Sequence, residues 1–180
     1  EVVTRSVDPD GGGVQDMTLF CFDSYGLFTT TVEAKVTPTG NGAGLTGNFE
    51  AEVPENTRTV HFLANQNMSE FKEDKFRNKS EAEVMALLEG SSGRMIYWAR
   101  FTCDPDNDSK IDAQMADKGN TIKMIRNHAQ VSIDNPINGW IEVTGFVAYN
   151  TNAFGTVAPY HPEKGFDFEW PGEDDPFVTL

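Results

Sequence analysis

The stretch Arg58 to Asn67, RTVHFLANQN, sets Val60, Phe62 and Ala64 on one side of an extended chain and Thr59, His61 and Leu63 on the other. A period of two is that of a β-strand with one face on a core. The same grammar recurs before it. Val2 to Val7 is rich in β-branched residues and runs into Asp8-Pro9-Asp10 and three glycines, so a short strand ends in a turn. Val14 to Asp23 carries Met17, Leu19, Phe20 and Phe22 and stops at Ser24-Tyr25-Gly26; Leu27 to Val36 is a Thr- and Val-rich strand. Pro38 to Gly47 is a loop. Asn48 to Val53 (NFEAEV) alternates again, and Pro54-Glu55-Asn56 turns it into the Arg58 strand, which predicts a hairpin.

Ser80 and Glu83 have the spacing of a capping box, Val84, Leu87 and Leu88 follow at helical spacing, and Gly90 stands at a C-cap. These signals predict a single short connecting helix from about Glu81 to Glu89. Met95 to Thr102 is a strand with bulky residues on both faces, and Asp104 to Gly119 is a polar loop. Thr121 to Ile133 forms one bent strand or two, and Trp140 to Tyr149 alternates through Ile141, Val143, Gly145 and Val147. Many short strands, Gly and Pro turns and one helix predict an all-β chain built as an antiparallel β-sandwich. After Pro159 the chain turns to Pro, Gly and acids, so we expect a domain over 1–160 and an acidic tail or linker over 161–180.

A chain of 180 residues with 38% hydrophobic residues and 13 Phe can bury one aromatic-rich core. A net charge of −14 argues against nucleic acid as a partner, because phosphate binding needs clustered Lys and Arg. It disfavours an anionic membrane surface for the same reason. No run of 18 apolar residues occurs, and no charged-then-apolar leader opens the chain. A start at Glu1 rather than Met suggests a processed or trimmed product, and any export signal would precede it.

Asp104, Asp106, Asp108 and Asp112, in DPDNDSKIDAQM, stand where a twelve-residue calcium loop places its oxygen ligands, with Ile111 at the apolar position. Ser109 replaces the glycine of the sharp turn and Met115 replaces the closing bidentate Glu, so the reading that weighs more is a solvated acidic loop. His61, His128 and His161 lack spaced partners; His61 and His128 fall in predicted strands, where hydrogen-bonded sheet histidines are commoner than ligands. No HExxH, CxxC, GxSxG or phosphate-loop pattern occurs, and among 28 acidic residues no carboxylate pair stands out as glycosidase-like. Trp98 and Trp140 read as core; Trp170, in the tail, is free to pack on the domain or a partner, and with Tyr97 and Tyr149 such rings could stack on sugars. Cys21 and Cys103 sit in apolar stretches, either as buried thiols or as a bridge whose geometry sequence cannot supply.

The ordered set LFCFDSYGLF, RTVHFLANQN, SEAEVMALL, MIYWARFT, IKMIRNHAQVSI, GWIEVTGFVAYN and NAFGTVAPY resembles the N-terminal domain of the Bacteroidales fimbrillins, subunits or associated proteins of type V pili. The resemblance implies a transthyretin-like, immunoglobulin-like β-sandwich of about seven strands. It also implies an exported lipoprotein of the outer membrane, built into cell-surface fimbriae that serve adhesion. Family members are cut by an arginine-specific protease, and a strand from the next subunit fills the groove left by the lost strand. Here the removable strand would be Glu1 to Val7 or the one starting at Val14, and Arg5, the only arginine before Arg58, is the candidate cut site. The lipid-attachment Cys and the second sandwich of the family are not in this chain. The expected function is therefore a non-enzymatic structural subunit domain with other fimbrial subunits as partners, no cofactor, and surface receptors as further contacts. The alternative is a glycan-binding surface lipoprotein on a similar scaffold.

Overall fold

The computed structural model describes residues 13–38, 47–66, 68, 71–91, 95–127, 145, 154–158 and 165–166. The predicted strands Val2 to Val7 and Trp140 to Tyr149 fall outside this set, Gly145 excepted, as does Thr121 to Ile133 beyond Asn127. In chain order the strands are β1 (Met17–Phe22), β2 (Phe28–Pro38), β3 (Gly47–Glu50), β4 (Thr59–Ala64), β5 (Glu89–Ser91), β6 (Tyr97–Thr102), β7 (Ile125–Arg126) and β8 (Phe154–Thr156). Six of them form one sheet in the order β3-β2-β1-β4-β6-β7, every neighbour antiparallel, while β5 and β8 form a separate two-stranded ladder. The protein is mainly β, as its periodicity predicts.

β1 and β4 lie at the centre, and all residues of both are buried. The prediction of one core-facing side for the Arg58 strand is thus corrected: both sides are cores. Val60 and Phe62 join Met17, Leu19, Cys21, Ala99 and Phe101 on one face, and Leu63 joins Phe20, Phe22 and Trp98 on the other. The second face is covered by α1 (Glu81–Ala86) through Val84 and Met85, together with Phe76, Val157 and Ala158. The first is met by Ile111 and Met115 of α2 (Ile111–Asp117) and by Ala51 and Val53. A strand covered on both sides can be apolar throughout, and alternation then records two different environments rather than inside and outside.

The predicted NFEAEV hairpin is also overturned. β3 pairs with β2, Lys35 opposite Glu50 through Pro38 opposite Gly47, and β4 pairs with β1 and β6. β3 stops at Glu50 rather than Val53. Carrying its register onward would set Glu52 opposite Glu33 and Pro54 opposite Thr31, a like-charge pair and then a residue with no N–H. The chain leaves the edge instead. β1 is central, so loss of the strand starting at Val14 would part β2 from β4 and bare Leu19, Phe20, Cys21 and Phe22.

The capping box at Ser80 forms as predicted, but the helix ends at Ala86, and Gly90 lies in β5. The polar loop of Asp104 to Gly119 is corrected too, since it contains α2; a 3-10 turn (Glu73–Lys75) adds a third short helical piece. α2 closes on Gly119 (φ 82°) and Asn120 (φ 51°), whose N–H groups return to the carbonyls of Ala116 and Met115, a left-handed cap that glycine and asparagine favour. Phe166, in the stretch read as a tail, is buried in the α1-side core.

Replacing Phe62 with Ala empties a site between β1, β6 and Phe49, and is expected to cost about 3–5 kcal/mol, read as a lower urea midpoint with unchanged m-value.

Candidate functional site

The most elaborate polar arrangement among the described residues starts at His61 in the middle of β4. Its side chain is 0% exposed and ringed by Phe22, Trp98 and Phe166 at centroid distances of 5.6, 5.7 and 5.0 Å. A buried imidazole needs both nitrogens satisfied. Trp98, on β6, donates its indole N–H to His61 Nδ1 at 2.9 Å. Indole nitrogen only donates, so Nδ1 must hold a lone pair and the ring proton sits on Nε2. That N–H donates to Glu81 Oε1 at 2.6 Å. Arg100, opposite His61 in the β4–β6 register, donates through Nε and Nη2 to the two oxygens of the same carboxylate.

Glu81 is the first residue of α1, so the network pins the start of that helix to the centre of the sheet. A carboxylate in a first helical turn also suits the local dipole. Burial by itself would raise the Glu81 pKa, and this is the largest single influence; the hydrogen bonds and charges of His61 and Arg100 outweigh it together and lower it to about 2. The His61 pKa is lowered, first by burial, with Glu81 opposing and Arg100 assisting. The imidazole is thus neutral and sealed, with every polar atom engaged. It ties elements together and cannot reach a solute, in agreement with the sequence reading of a hydrogen-bonded sheet histidine.

The calcium-like loop is organised around a side chain. Gln114 of α2, 4% exposed, accepts from the Asp104 N–H at 2.8 Å and donates to the carbonyls of Asn107 and Ser109 at 3.0 and 2.9 Å. Arg58 donates to the Ser109 carbonyl from outside at 2.8 Å. Asp104 accepts from the Asp106 N–H, and Asp112 accepts from the Ala113 N–H inside the first turn of α2, so these carboxylates close local turns. No group of three or more potential ligands converges on one point among the described residues.

Cys21 and Cys103 are free, buried thiols in the same apolar cluster. Burial pushes the Cys21 thiol up to about 11, with the Thr57 hydroxyl opposing, which leaves it unreactive. Trp98 and Tyr97 are buried, in keeping with the core assignment of Trp98. Arg5, His128, Trp140, Tyr149, His161 and Trp170 lie outside the described residues. Sequence reasoning missed Glu81, Arg100 and Gln114 as partners. The first two are joined to His61 only through the sheet and helix packing, whereas Gln114 had a local signal: an Ala- and Met-containing run closed by Gly119-Asn120.

The fold and this buried network define an antiparallel β-sheet domain with its titratable centre closed. Comparison with family models, curated proteins and solved structures returns no match.

Acid should weaken the domain in two steps. The unfolded chain binds a proton at His61 near pH ~6.5, before the folded one does, so this contribution is complete above ~6.5 and is lost as pH falls from there. Glu81, unfolded near 4.5 and folded about 2, adds stability present above 4.5 and lost as pH falls toward 2. Urea midpoints from pH 8 to 3 should show both, and Glu81→Gln should cost about 1.5–3 kcal/mol at pH 7 by weakening charged hydrogen bonds. In the acidic loop, millimolar calcium should leave the melting temperature unchanged, while Gln114→Ala lowers stability by about 1–3 kcal/mol.

Proposed function

We propose that this chain is a structural domain of a bacterial cell-surface fimbria, assembling with neighbouring subunits by β-strand exchange, and that its finer fold is a sandwich of about seven strands. The edges of the sheet carry the reading. Among the described residues, β3 pairs with only Lys35–Pro38 of the 11-residue β2, and β7 with only Tyr97 and Trp98 of β6. Long strands with short edge partners offer ladder groups to an added strand. Val32, Ala34, Val36 and Phe49 are only partly buried on one face, which a second sheet layer would cover.

The sealed state of His61 supports a non-enzymatic role. In this reading the removable strand is Glu1–Val7 or the one starting at Val14, and Arg5 is the cut site. The glycan-binding alternative loses the support of Trp98 and Tyr97, which are buried. Export to the outer membrane belongs to the same proposal.

Protein extracted from the producing cell surface should run as an SDS-stable ladder before boiling and collapse to one band afterwards. N-terminal sequencing should place the mature start after Arg5, and Arg5→Ala should abolish the ladder. A monomer with an uncut N-terminus would sink the proposal.

A further inference from the structure

The outer edge of β2 is guarded. Beside its first residues the chain from Lys79 to Glu81 runs antiparallel with ladder-like bonds: Phe28 N–H to the Lys79 carbonyl at 2.9 Å, the Leu27–Ser80 bridge, and Glu81 N–H to the Gly26 carbonyl at 3.1 Å. Further along, backbone gives way to a side chain. Glu73, in the 3-10 turn, accepts from the Thr31 N–H at 2.8 Å and from the Thr30 hydroxyl at 2.5 Å. Since the Thr31 N–H is spent on Glu73, it points away from β1. One carboxylate oxygen therefore sits where the carbonyl of an added strand would accept.

We propose that Glu73 is a removable clamp on this edge, and that its release opens Thr29 to Ala34 to an incoming extended peptide with a basic residue opposite Glu33. The proposal rests on the strand-addition reading above and locates the acceptor edge. The span is bounded by Phe28, held by Lys79, and by Lys35, paired with Glu50. Among the described residues those limits leave six positions, Thr29 to Ala34. Val32 and Ala34 are partly buried against the β1-side cluster containing Leu19, so apolar residues suit the places opposite them. Glu33 is exposed, and the chain's own Glu52 turns away instead of facing it. An acidic strand is disfavoured there and a basic one is favoured.

Release is cheap in buried surface. The turn buries none of its own residues, and Glu73 and Lys72 are exposed. The apolar anchors lie on either side: Phe71 and Phe76 stack at 4.4 Å, and Phe76 is in the core. The turn can lift while both rings stay in place. Hydrogen bonds from Thr30 and then Thr31 hold the Glu73 pKa below its ordinary value, so the clamp is charged at neutral pH.

Amide exchange followed by NMR tests the clamp, and peptide titration tests the edge. In the unmodified protein the Thr31 amide should be protected, and in Glu73→Ala it should exchange about tenfold faster or more. Glu73→Gln, which keeps an acceptor oxygen, should fall between. The capped peptide acetyl-VKVTVT-amide should shift the Thr31 and Glu33 amides of Glu73→Ala and bind it about tenfold tighter than the unmodified protein, with acetyl-VEVTVT-amide weaker. An unprotected Thr31 amide in the unmodified protein overturns the clamp, even if Glu73→Ala fails to fold. Equal binding to both proteins overturns the clamp; no binding, or shifts away from β2, overturns the acceptor edge. A surviving SDS-stable ladder in those cases would leave the fimbrial reading standing with exchange at another edge, whereas peptide capture without a ladder would do the reverse.

Discussion

An imidazole with no exposure to water can sit at the centre of a β-sheet only if both ring nitrogens find partners, and much of this protein is arranged around that requirement. Trp98 reaches one nitrogen from the neighbouring strand and Glu81 reaches the other from the start of α1. Glu81 in turn is a carboxylate drawn partly out of water, and Arg100 neutralises it from the position opposite His61. Each member is tolerable only in the presence of the next. The helix is therefore a positioned part of the core, because shifting it would strand a charge and a buried ring nitrogen together.

The same face explains why aromatic residues are so numerous. Phe20, Phe22, Phe28, Phe71 and Phe76 form a run of tilted, edge-on and stacked pairs that fills the space between the sheet and the segment leading into α1. On the opposite face the sheet is met by smaller pieces, α2 and the chain after β3. That asymmetry follows from charge and backbone chemistry at the edge. Glu52 and Pro54 are poor strand partners for Glu33 and Thr31, so the chain bends over the face and carries Ala51 and Val53 onto the cluster. Among the described residues, β3 covers only Lys35–Pro38 of β2, and this leaves room for a side-chain clamp and for the strand addition proposed here.

The acidic loop shows how a motif can share spacing with a metal site and follow a different logic. Its aspartates fall at ligand positions, yet the missing Gly and Glu leave the loop without a sharp central turn or a closing carboxylate. Gln114 supplies one acceptor and two donors in their place, and Ile111 packs beneath as an apolar anchor. The helix that carries Gln114 escaped a reading based on loop polarity, because its exposed face is polar and its two buried residues, Ile111 and Gln114, are too few to make a stripe.

Local signals were enough to place β1, β2, β4 and β6, the Ser80 capping box, the burial of Trp98 and the sheet role of His61. Each depends on residues close together in the chain: a period of two, or a hydroxyl three residues before a carboxylate. Pairing was not legible in that way. NFEAEV and RTVHFLANQN are consecutive and separated by a turn, yet β2 and β1 lie between their strands, since adjacency in a sheet is settled by which faces must be buried and which edges can tolerate their partners. The same holds for the links from His61 to Glu81 and Trp98 and from Glu73 to Thr31, which span 20, 37 and 42 positions. By itself the sequence determined a mainly β chain with an aromatic core. Only the tertiary structure decided that its central strands have two buried faces, that its histidine is locked neutral, and that one edge is held by a carboxylate, because each of these is a property of groups brought together from distant parts of the chain.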